Sequence, residues 1–141
     1  MSDPLHALDQ DTSVESEGRW TRWLVLYVRL LAAASMLKGL YHWSLVVGLG
    51  DGADSTFELA PVSWKAATIF FAVIDLVAAV GLWLAAVWGG VVWLTAASSM
   101  AAVEVVFPQI YGGRIWVVLL EVAAIAGYLG LAIMAARERS E

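Results

Sequence analysis

The sequence predicts an all-α fold: an integral membrane four-helix bundle with a disordered acidic N-terminal tail and both termini cytoplasmic. Three observations predict it. Of 141 residues, 61% are hydrophobic and 15% charged, against roughly 45–50% and about 25% in soluble domains; the mean hydropathy is +0.76. Four apolar segments, about 23–48, 62–87, 91–107 and 115–135, approach or exceed the ~20 residues that cross a bilayer. Seven of the eight tryptophans stand at or near the ends of those segments, where an aromatic belt belongs. No segment alternates with a period of two, so a sheet does not compete. The absence of Cys excludes a disulfide scaffold, and a net charge of −5 argues against a nucleic-acid partner.

Each element follows from local composition. Residues 1–19 set Asp3, Asp9, Asp11, Glu15 and Glu17 against one Arg19. Such a segment has too little apolar surface to offset its ordering entropy and reads as a disordered acidic tail. The membrane domain then spans 20–136. Its first segment ends at Gly48, and the polar stretch LGDGADSTFELAP (49–61) suits an aqueous loop. The second and third segments are separated by Trp88-Gly89-Gly90, read as a minimal turn. The third is short and stops at Pro108, after which PQIYGGR (108–114) turns the chain into the fourth. Residues 137–141 form a short C-terminal tail. Arg19, Arg22, Arg137 and Arg139 lie on one side and only Lys65 and Arg114 on the other, which places both termini in the cytoplasm.

The informative residues are those a bilayer should exclude. Segment one carries Arg29, Lys38 and His42, segment two Asp75, segment three Glu104 and segment four Glu121. A charge at the bilayer centre costs about 2.5–3.5 kcal/mol on insertion scales, so each needs a partner or water. Counted inward at 1.5 Å per residue, Lys38 and Asp75 lie about 15 Å deep and His42 and Glu121 about 9 Å. Glu104, about 5 Å from its end, is expected to be solvated at the interface. At 100° per residue Lys38 shares a face with His42, and Asp75 with Thr68, Ala72 and Ala79. Glu104 aligns with Ala97 and Met100, and Glu121 with Ala124 and Tyr128. Arg29 points away from Lys38 and reads as a snorkelling charge. The expectation is a mid-membrane Lys38–Asp75 pair below an outer cluster of His42, Glu104, Glu121 and Tyr128. Such pairs can fix helix register without chemistry, or they can carry protons.

The same residues carry no catalytic or cofactor motif. A bis-His haem needs two histidines in the spans, and there is one, His42, since His6 lies in the tail. No HExxH, Cys/His cluster, P-loop or GxSxG elbow occurs. The chain therefore reads as a non-enzyme with no cofactor and no metal.

The stretches GLYHWSLVVG (39–48), SWK (63–65) and AAVGLWLAAVWGGVVW (78–93), with Glu104 followed by FPQIYG (107–112), carry a resemblance over about residues 23–130. The chain resembles a family of small uncharacterised four-helix inner-membrane proteins of alphaproteobacterial type, classed as a domain of unknown function. It is more loosely similar to DoxX-like membrane proteins, through Arg29 and the Gly39 region. The first resemblance implies a bacterial inner membrane location and no activity. The leading functional expectation is a non-catalytic accessory or assembly subunit, bound to a membrane-protein partner or to copies of itself in the lipid bilayer. The alternative is a small oligomeric proton-coupled transporter or channel using Asp75, Lys38 and Glu121.

Overall fold

A computed structural model of the chain describes residues 18–49 and 56–140. Nearly all of the expected acidic tail and the centre of the 49–61 loop lie outside the described residues. The described chain forms α1 (Arg19–Val46), α2 (Thr56–Leu59), α3 (Val62–Trp83), α4 (Val87–Val106), α5 (Pro108–Tyr111) and α6 (Ile115–Glu138). Helices α1, α3, α4 and α6 are each long and apolar enough to cross a membrane. They pack as a closed ring in which α1 meets α3, α3 meets α4, α4 meets α6 and α6 returns to α1. Their direction alternates. One end of the bundle holds the short helices α2 and α5, and is called the loop end here. The other holds the start of α1 and the finish of α6, and is called the terminal end. There the backbone N–H groups of Trp20 and Thr21 donate to the Glu138 carboxylate at 3.0 and 3.4 Å. That carboxylate satisfies two of the donors that a helix start leaves without partners.

The reversal between α3 and α4 corrects the expected turn. The chain turns at 84–86, where Ala85 adopts φ 52°, not at Trp88-Gly89-Gly90. Both glycines lie inside α4 and are buried. A Cβ on Gly81 would stand 2.5 Å from Gly89 Cα, and one on Gly89 would strike the Gly81 and Leu82 backbone. The glycines are thus used for backbone contact between helices, a standard device of membrane packing. As a result, α3 ends at residue 83 rather than 87, and α4 begins at 87 rather than 91. Two tryptophans change places accordingly. Trp83, expected to sit deep, ends α3 and is exposed, whereas Trp93, expected at an interface, is buried. At the other boundaries, α1 begins at Arg19, inside the expected tail, and α6 runs on to Glu138.

Leu31, Ala32, Ala78, Leu82, Trp93 and Ala97 form an apolar core, with Tyr27, Ile125 and Tyr128 packed against it. All of them lie on the terminal side of Lys38, Asp75, Glu104 and Glu121 along their helices. The terminal half of the bundle is therefore apolar inside, and the buried polar residues gather in the loop half. Leu30, Leu37, Val73, Val77, Leu119 and Val122 face outward, as a lipid-facing surface does.

Candidate functional site

Helix α1 turns Lys38 and His42 inward one turn apart, and α3 brings Asp75 to the same level. Lys38 Nζ donates to Glu121 Oε1 of α6 at 2.7 Å and lies 3.7 Å from Asp75 Oδ1. One ammonium thus stands between two carboxylates. Lys38 keeps 34% of its side chain exposed, Asp75 only 1%. Neither Asp75 carboxylate oxygen has a hydrogen-bond partner. The nearest nitrogens are the Lys38 ammonium, 3.7 Å from Oδ1, and His42 Nδ1, 3.9 Å from Oδ2. His42 Nδ1 is 2.9 Å from the Lys38 carbonyl oxygen. A carbonyl can only accept, so Nδ1 carries the proton and Nε2 is the nitrogen free to gain one.

Glu104 is placed differently from the expectation of a solvated interfacial carboxylate. It is buried, and its Oε2 accepts the backbone N–H of Arg114, at the start of α6, at 2.7 Å. The reason is α5 and the left-handed Gly112 and Gly113, which fold the α4–α6 connection back over the end of α4. Glu104 therefore anchors a turn and lines the same cavity as Lys38, His42 and Glu121. Tyr128 is not with them. Two turns toward the terminal end from Glu121, its ring packs against Trp93 with centroids 5.6 Å apart. Glu121 pairs with Lys38 instead of a phenol. Arg29 stands apart as well, over the ring of Trp83.

Other residues of the site had no signal in helical phase. Tyr111 reaches in from α5, its hydroxyl 3.2 Å from Thr68 Oγ1 of α3. The rings of His42, Phe71 and Trp64 surround it at 6.2–6.4 Å between centroids. Burial pushes its phenol pKa up from the ordinary 10.0, opposed by the bond to Thr68 and assisted by the charge of Glu104. Phenol and imidazole roof a cavity of about 580 Å³ whose lining includes Lys38, Tyr41, Trp64 and Trp116 besides the two glutamates. The cavity lies in the loop half, and the apolar core lies between it and the terminal end. Among the described residues no three His, Asp or Glu side chains are placed to hold a metal ion. What the arrangement offers is proton and charge exchange: two carboxylates compete for one cation in a site of low dielectric.

A family model described as "Family of unknown function (DUF6163)" matches residues 22–139, a span that includes all four long helices and every residue of the cluster. Neither the curated proteins nor the solved structures contain a match to the chain.

Proposed function

The chain belongs to the DUF6163 family of unknown function, and from that premise we propose that it is a proton-coupled membrane transporter with Asp75, Lys38 and Glu121 at its centre. One observation carries the reading: Asp75 is buried at mid-bundle with no hydrogen bond to either oxygen, and it shares its one ammonium with Glu121. Burial of a charge costs several kcal/mol unless it is paired and hydrogen-bonded. A purely architectural pair would be expected to satisfy its carboxylate, whereas a carboxylate that must gain and lose a proton is best left without fixed donors. A proton that enters the loop-end cavity and is passed on to Asp75 by a group lining it, such as His42, neutralises that carboxylate and leaves Lys38 paired with Glu121 alone. Loss of that proton restores the shared state. The flexible Lys38 stem, partly exposed to the cavity, can follow each change. The arginine distribution supports cytoplasmic termini, which would open the cavity toward the far side of a bacterial inner membrane.

The test is proton flux in proteoliposomes under an imposed pH gradient. Asp75→Asn should abolish the flux and keep the helical content and elution volume of the parent. Equal flux in Asp75→Asn removes that residue from the mechanism, and absence of flux in the parent removes the transporter class. The assembly-subunit reading predicts a different result: no flux from either protein and a stoichiometric membrane partner recovered in mild detergent.

A further inference from the structure

At the terminal end a second cavity, of about 370 Å³, opens between α1, α6 and the α3–α4 turn. Arg29 and Arg139 line it with Tyr128, above walls that include Leu24, Val28 and Val87. Among the described residues neither guanidinium has a carboxylate within 4.0 Å. Arg29 Cζ sits 5.9 Å from the centroid of the Trp83 ring, and Arg139 Nε donates to the Ala135 carbonyl at 3.3 Å. Glu138, one residue before Arg139, is committed to the start of α1. Arg29 lies six residues past Trp23, about 9 Å along α1, and is exposed, within snorkelling reach of the headgroup level. An arginine there is well placed to meet a headgroup anion.

We propose that this cavity binds the headgroup phosphate of an anionic phospholipid, with an acyl chain along its apolar wall. Arginine suits the head because its planar fork donates in pairs to phosphate oxygens. The bilayer supplies such headgroups at this level, and basic pockets between membrane helices are known lipid sites. The apolar wall distinguishes the occupant from a free anion, which would gain nothing from Leu24, Val28 or Val87. The site stands at the terminal end, away from the mid-bundle Asp75, and does not depend on the transport reading.

The experiment is native mass spectrometry of the full chain released from neutral-detergent micelles holding equimolar dioleoyl-phosphatidylglycerol and dioleoyl-phosphatidylcholine. The parent should retain phosphatidylglycerol preferentially. Arg29→Gln and Arg139→Gln should each lower that preference about fivefold, the effect of ~1 kcal/mol per basic residue. Millimolar inorganic phosphate should not displace the lipid. Equal retention of the two lipids, or a preference unchanged in the double variant, overturns the proposal. Displacement by inorganic phosphate identifies a free-anion site and overturns the lipid assignment. Arg139→Gln alone, at an exposed helix end, keeps the test decisive if Arg29→Gln fails to fold.

Discussion

At the scale of single residues, Lys38 is the residue on which most depends. Its ammonium is the only lysine or arginine charge within 4.0 Å of either Asp75 or Glu121 among the described residues. Lys38→Met leaves two buried carboxylates without it and should destabilise the protein by about 3 kcal/mol, near the lower end for a broken buried pair because Lys38 is partly exposed. Lys38→Met combined with Asp75→Asn should recover part of that loss. Unfolding in mixed micelles measures both, and a double variant no more stable than the single would show that Asp75 gains little from the ammonium. Helical phase was enough to place Lys38, His42 and Asp75 on inward faces, because 3.6-residue periodicity is rigid over the three turns concerned. Depth counting paired Lys38 with Asp75 and set Glu121 apart, whereas Glu121 is the closer partner, at 2.7 Å against 3.7 Å, since that depends on interhelical distance. Tyr111 was out of the reach of helical phase, as it sits on a four-residue helix with no periodicity to read. Tyr128 shares a face with Glu121 but lies two turns away along the axis, so a common face did not make a common site.

At the scale of elements, the α3–α4 hairpin shows how one dipeptide can carry two readings. Gly-Gly between apolar segments is a turn signal in soluble chains, and in a bilayer it is equally a contact surface. The structure uses Gly89 against the Gly81 backbone and leaves the turn to Ala85. Because backbone cannot move aside as a side chain can, Gly89→Ala should cost about 2 kcal/mol or more. Gly130→Ala is the control, since a Cβ there meets nothing within 4 Å, and it should change stability by less than about 1 kcal/mol. Equal effects of the two substitutions would mean that the α3–α4 contact is looser than the structure has it. The existence and order of the four long helices were legible because apolar length is a coarse property that packing does not alter. The hairpin boundary was not, because it turns on which glycine touches which backbone.

At the scale of the whole molecule, an even number of long helices brings residue 140 and the start of α1 to one end and α5 to the other. The chain has no cysteine, so single cysteines at Ser140 and Gln109 can be introduced without background. A membrane-impermeant maleimide applied to intact cells should label Gln109→Cys alone, and Ser140→Cys only after the cells are opened, if the arginine bias sets the orientation. Labelling of both positions in intact cells would contradict a four-crossing topology.

The clamp of Glu138 on the start of α1 also imposes an order on assembly. Trp20 and Glu138 are 118 positions apart, and Lys38 and Glu121 are 83 apart, so neither link can form until the last helix has entered the bilayer. Lys38 and Asp75, on the first two long helices, can meet much earlier as a neutral pair. With three helices inserted Lys38 has Asp75 as its carboxylate partner, and the arrival of the fourth brings Glu121 as a second partner and closes the ring. Final closure and the completed charge triad thus belong to the same late step of biogenesis.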